Sequence, residues 1–187
     1  MIKQRILVIT ALLLGALPVF AGEPPALTQH CVACHGVAGV SNNPQWPNLA
    51  GQNADYMTVQ LIAFRDGVRS NPMMDAVVAD LSDEDARVLS QWYASLDRAT
   101  SGSGDAKLLA VGEHLSAYCK ACHGMTGEPV ATEWPVLAGQ QGPYLQRQLQ
   151  AFKNGSRISP FMQAALSQLS EHEFAALAAY YSQFSSE

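Results

Sequence analysis

The sequence predicts an all-α protein made of two tandem copies of one small helical unit. Three observations carry that prediction. Sliding the 187-residue chain against itself by 88 positions gives 27 identities in the 70 pairs that begin at residues 27 to 96, without a gap. In both copies apolar side chains recur at helical spacing, and no alternating run reads as a strand. A stretch with nothing to bury, Ala99-Thr100-Ser101-Gly102-Ser103-Gly104, lies between the copies and has the composition of a flexible connection.

Taken in order, residues 1–21 read as a secretory signal peptide. Lys3 and Arg5 form a positive start, Ile6 to Leu17 an apolar run, and Val19-Phe20-Ala21 a small-residue cleavage site. The run is shorter than the roughly 18 to 20 residues that span a bilayer. The first unit follows at 22–98, the linker at 99–104 and the second unit at 105–187. Each unit is of a size at which a hydrophobic core alone is marginal and a cofactor, metal or disulfide often completes the interior.

Within each unit, Met57, Leu61 and Phe64 repeat at i, i+4 and i+7, as do Leu145, Leu149 and Phe152, which predicts a helix that Gly67 or Gly155 ends. Gly142 before Pro143 reads as an N-cap followed by the first helical residue. The last helices open with Ser82-x-x-Asp85 and Ser170-x-x-Glu173, a capping box and its shorter acidic variant. Leu89, Trp92, Tyr93 and Leu96 then share a face, matched by Leu177, Tyr180, Tyr181 and Phe184. A third helix leads into each cysteine pair and is clearest from Asp105 to Tyr118. The first unit has Pro24-Pro25 in the corresponding stretch, so its leading helix starts late.

Composition narrows the function. With 48% hydrophobic and 14% charged residues the chain is globular, and loss of Lys3 and Arg5 takes the formal charge from −5 to −7. An acidic surface repels nucleic-acid phosphates and suits docking against a basic patch on another protein.

All four cysteines lie in two copies of Cys-x-x-Cys-His, Cys31-Val32-Ala33-Cys34-His35 and Cys119-Lys120-Ala121-Cys122-His123. Two thiols at this spacing add to the vinyl groups of haem, and the following His lies under the iron as its proximal ligand. Three alternatives compete. Zinc needs four ligands, and 84 residues separate Cys34 from Cys119. A thioredoxin-like dithiol belongs on a βαβ fold, and structural disulfides leave the repeated His without a purpose. For the sixth iron position the register selects Met74 and Met162, since Met73 pairs with Phe161. Each follows a proline, Pro72 or Pro160, by two residues in a loop between helices, 39 residues beyond its His. The competing role for a methionine is core filling.

The motifs "CVACHG" and "CKACHG", "WPNLAGQ" and "WPVLAGQ", "NPMM" and "SPFM", and the "Y…Q…L…AF…G" helix resemble class I c-type cytochromes, and their tandem arrangement resembles the dihaem cytochrome c4 family from about Leu27 to Phe184. The resemblance implies two tandem class I cytochrome c-like haem domains, two haem c groups attached through Cys31, Cys34, Cys119 and Cys122, and iron held by His35 and Met74 and by His123 and Met162. It implies a non-enzymatic periplasmic electron carrier whose redox partners include a terminal oxidase, with membrane association only through partners. It also implies that Pro47 and Pro135 offer carbonyls to the proximal histidines, beside the plain alternative that each shapes a turn. Arg69 and Arg157 either pair with haem propionates or are solvated. Trp46, Trp134, Tyr56 and Tyr144 either pack on a haem edge or hydrogen-bond a propionate, or else fill the core. His30, His114 and His172 lack His counterparts and read as surface residues. With both iron faces filled, electron transfer is favoured over catalysis; a dihaem peroxidase or the cytochrome subunit of a periplasmic dehydrogenase is the alternative.

Overall fold

A computed structural model describes residues 23–102 and 106–185 of the chain. The signal-peptide segment 1–21 lies outside the described residues, as does part of the 99–104 linker. The described residues contain helices and no strand. A 3-10 turn over Ala26–His30 leads to α1 (Val32–His35), α2 (Ala54–Arg65), α3 (Pro72–Val78) and α4 (Asp83–Ala94). The second unit repeats this as α5 (Ala106–Ser116), α6 (Lys120–His123), α7 (Gly142–Asn154), α8 (Pro160–Leu166) and α9 (Glu171–Ser182).

The helix boundaries follow local chemistry. Both capping boxes form: Ser82 Oγ accepts the Asp85 amide and Ser170 Oγ the Glu173 amide, while each acidic side chain accepts the serine N–H in return. The shorter Asp reaches as well as the Glu. α7 begins one residue earlier than the Gly-Pro pair suggests, with Gln141 as N-cap, and it ends on Gly155 in a left-handed conformation. α2 and α4 pack through Met57, Phe64, Ala86, Leu89 and Tyr93, all buried. α7 and α9 pack the same way through Leu145, Leu177, Ala178 and Tyr181.

The units differ at their lead-in. α5 crosses α9 so closely that a Cβ on Gly112 would lie 2.2 Å from the Ala176 carbonyl oxygen. Among the described residues the first unit has only the 3-10 turn at this place, which begins after Pro25, its extended N-cap.

A pseudo-twofold clasp joins the units. The Gln52 carboxamide accepts the Val136 amide at 2.7 Å and donates to the Val136 carbonyl at 2.9 Å. Its counterpart Gln140 accepts the Asn48 amide at 2.7 Å and donates to the Asn48 carbonyl at 2.9 Å. Val136 is the equivalent of Asn48 in the repeat, so the contact is reciprocal. Asn53 adds a bond to the Trp134 carbonyl, and Gln141 one to the Ser41 carbonyl. Arg98, at the end of the first unit, pairs with Glu128 of the second at 2.6 Å. Part of the connecting segment is tied down too, since the Asn48 side chain donates to Ser101 Oγ.

Candidate functional site

One continuous cavity of about 920 Å³ runs through both units and their junction. Its walls include Cys31, Cys34, His35 and Met74 from the first unit and Cys119, Cys122, His123 and Met162 from the second. Short helices make the cysteine motifs presentable. Cys31 and Cys119 are the N-caps of α1 and α6, and each His is the last residue of its turn. The chain must then reverse, and Gly36 and Gly124 do so at φ 77°. A Cβ there would stand 2.1 Å from a carbonyl oxygen, of Val40 or Glu128, so the glycine of each "CHG" is sterically required.

The histidines are buried and oriented. His35 Nδ1–H donates to the Pro47 carbonyl at 2.9 Å, and His123 Nδ1–H donates to the Pro135 carbonyl at 3.3 Å. A carbonyl only accepts, so the proton is on Nδ1 and the lone pair on Nε2. Burial holds both imidazoles below their ordinary pKa, partly offset by the proline carbonyls, which favours the neutral form that ligates metals. His123 Nε2 is buried and has no hydrogen-bond partner among the described residues. Trp134 holds the ring edge-on, centroids 5.7 Å apart.

Met74 and Met162 are half-buried on the cavity wall, whereas Met73 is 55% exposed and Phe161 77% exposed. They do not sit in loops. Each is the third residue of a seven-residue helix that begins with Pro72 or Pro160. Asn71 Oδ1 accepts the Met73 and Met74 amides, and Ser159 Oγ accepts the Met162 amide. A proline at N1 behind an Asn or Ser cap is a helix start, and the helix turns a flexible thioether into one of fixed origin.

The arginines are not solvated surface groups. Arg69 lies over the Phe64 ring at 4.4 Å and donates to Gln60 of its own unit. It also crosses to Tyr144 Oη at 3.1 Å and Gln148 Oε1 at 2.8 Å in the second unit. Arg157 mirrors it, over Phe152 at 4.4 Å, on Gln148, and across to Tyr56 Oη at 2.7 Å and Gln60 Oε1 at 2.8 Å. All eight residues line the cavity. The acceptors are neutral, so two guanidinium charges meet with no carboxylate in the network. Burial drives the Tyr144 phenol up, but the fields of Arg69 and Arg157 overcome it and hold it below its ordinary value. Such a site calls for anionic groups from a ligand.

The competing readings of the cysteines lose support on chemistry. Burial pushes the Cys31 and Cys119 thiols up, opposite to the lowered thiol of a redox-active dithiol. All four cysteines are unpaired, and no group of three or more His, Cys, Asp or Glu among the described residues could hold a metal ion. A porphyrin with two vinyl groups, two propionates and an iron fits what is present: paired thiols, an oriented imidazole with a free nitrogen, apolar walls and a cationic floor. Trp46 and Trp134 contribute to those walls; His30, His114 and His172 are exposed, with His30 at the rim.

The sequence assigned no role to Gln52, Gln60, Gln140 or Gln148, and gave Tyr93 and Tyr181 only a place on a helix face, whereas their buried hydroxyls lie against the Cys31 and Cys119 sulfurs. The signal was there: each pair is identical under the 88-residue shift.

A family model described as cytochrome C oxidase, cbb3-type, subunit III, matches residues 26–92 and again residues 106–180. Cytochrome c4 of Pseudomonas aeruginosa is 33% identical over 174 residues, spanning 86% of this chain and 85% of that protein. A protein of Stutzerimonas stutzeri named thiosulfate dehydrogenase electron acceptor is 36% identical over 148 residues, 73% of this chain and 68% of that one. The crystal structure of reduced recombinant cytochrome c4 from Pseudomonas stutzeri superposes with a TM-score of 0.79 at 28% identity, covering 84% of this chain and 94% of that chain.

Proposed function

Because the chain belongs to the cytochrome c4 family, a group of dihaem electron-transfer cytochromes, we propose that it is a periplasmic carrier passing single electrons between respiratory partners toward a terminal oxidase. It carries two covalently bound haem c groups, which supply one-electron chemistry at iron. The protein's part is attachment, ligation and shielding. Cys31 and Cys34 tether the first haem and Cys119 and Cys122 the second. His35 with Met74, and His123 with Met162, would hold the two irons. Pro47 and Pro135 fix the imidazoles through Nδ1–H and raise their basicity. A methionine on each iron would raise its potential and leave no room for substrate, which suits a carrier better than a peroxidase.

The observation that carries this reading is the convergence of both cysteine motifs and both register-matched methionines on one cavity. No described helix is long and apolar enough to cross a membrane. The likeness to a thiosulfate dehydrogenase electron acceptor favours a dehydrogenase of reduced sulfur as one electron donor.

The test is a haem count with visible and near-infrared spectra of the purified protein, repeated on Met74→Ala and Met162→Ala. Two haems per chain and the loss of one methionine-to-iron band in each variant are expected. A colourless protein, turnover with peroxide, or variants that keep both bands and both potentials would overturn the assignment.

A further inference from the structure

Each arginine at the junction is rooted in one unit and held by the other. Arg69 rests on Phe64 and Gln60 of the first unit, yet its second nitrogen is fixed by Tyr144 and Gln148 of the second. Arg157 rests on Phe152 and Gln148, and its second nitrogen is fixed by Tyr56 and Gln60. Each phenol takes its well-formed bond from the arginine of the opposite unit, Tyr144 from Arg69 and Tyr56 from Arg157, while Tyr56 also lies within reach of Arg69 of its own unit. The glutamines are shared, since Gln60 and Gln148 each accept from both guanidinium groups.

We infer that Tyr56 and Tyr144 are exchanged positioning residues, each fixing from the opposite unit the guanidinium that sets the field at its neighbour's haem. The inference rests on the carrier function proposed above. A fixed positive charge beside a redox centre disfavours the oxidised state and raises the reduction potential. A guanidinium that loses one anchor samples other rotamers, and its mean field at the centre falls. The potential of each haem thus depends on a phenol carried by the adjoining domain, and a movement at the junction alters both centres. Because the two glutamines serve both arginines, they are the common element of the network, while each tyrosine acts chiefly on the centre of the opposite unit.

The test is a potentiometric titration of the intact dihaem protein, with each haem followed by its own NMR signals, assigned through contacts with Pro47 or Pro135 of its unit. Tyr144→Phe is expected to lower the potential of the first-unit haem and leave the second in place. Tyr56→Phe is expected to lower the potential of the second-unit haem by more than that of the first, and Gln60→Leu to lower both. In Arg69→Gln the first-unit potential falls, and adding Tyr144→Phe then changes nothing further. Thermal unfolding and the Asn48 amide exchange rate verify that fold and junction persist. If Tyr144→Phe disturbs them, the comparison of Arg69→Lys with and without Gln148→Leu reads the same crossing. Shifts confined to the haem of the substituted unit, no shift at either haem, or an undiminished tyrosine effect in the Arg69→Gln background each overturn the inference. A protein that shows no pair of titrating haems overturns the carrier function itself, whereas two haems with the wrong pattern of shifts remove only the exchange.

Discussion

Replacing Gln140 with Ala attacks the clasp at its most enclosed point. The carboxamide serves both backbone groups of Asn48, at 2.7 and 2.9 Å, and Asn48 is only 3% exposed. Removing it leaves two buried donors, the Asn48 and Gln141 amides, and one buried acceptor, the Asn48 carbonyl, each worth about 1–3 kcal/mol when unsatisfied. The small cavity beside these groups, about 10 Å³ and bordered by Gln52, Arg98 and Gly139, is at the threshold for a single water. One water in the vacated space recovers part of the loss, so about 2–4 kcal/mol remains, a shift of roughly 30- to 700-fold in the docking equilibrium of the two units. Hydrogen exchange at the Asn48 amide reads this equilibrium directly, and proteolysis within the 99–104 linker reports the opened form independently. The linker should be cleaved faster while each haem remains six-coordinate. Unchanged protection of the Asn48 amide together with an unchanged cleavage rate would refute the reasoning, because the glutamine would then be dispensable to the junction.

Two further outcomes follow from local geometry. Gly112→Ala gains about 1 kcal/mol of helix propensity but drives a methyl to 2.2 Å from the Ala176 carbonyl oxygen and 2.6 Å from Tyr180 Cβ. Backbone cannot step aside as a side chain can, and overpacking costs about 1–3 kcal/mol or more, so the midpoint of second-unit thermal unfolding should fall; a raised midpoint would contradict the close crossing. Asp85 and Glu173 are held below their ordinary carboxylate values by hydrogen bonds to Ser82 and Ser170. Their help to α4 and α9 is complete above the unfolded-state values and lost as pH falls through the lower folded-state ones. Asp85→Asn with Glu173→Gln should flatten the acid limb of a stability profile, and an unaltered limb would show that the capping boxes carry no pH-dependent stability.

What the sequence disclosed, and what it hid, divides by distance along the chain. The cysteine motifs, capping boxes and major helices are local patterns, legible because neighbouring residues dictate them. The histidine–proline contact spans 12 residues and needed the family resemblance to be anticipated. The methionine segments were misjudged as loops although Asn71-Pro72 and Ser159-Pro160 are readable helix starts; a seven-residue helix is too short to show a periodic face. Arg69 and Arg157 left two readings open because their partners are 75 to 101 residues away, and only the docked units bring them together. The identity of Gln52 with Gln140 marked both residues, but a repeat says that something is retained without saying where it points.

The reciprocal glutamine clasp has the pattern of an isologous dimer contact: the same patch on each half receives the same patch of the other, and it is addressed to main chain, which sequence drift cannot erase. A single unit bearing this patch is therefore complementary to itself. Tethering two such units makes their meeting intramolecular and raises effective concentration, while the geometry of the embrace was already present in either half. Duplication of this kind turns a concentration-dependent pair into one that survives dilution, and leaves each copy free to acquire a different electrical character.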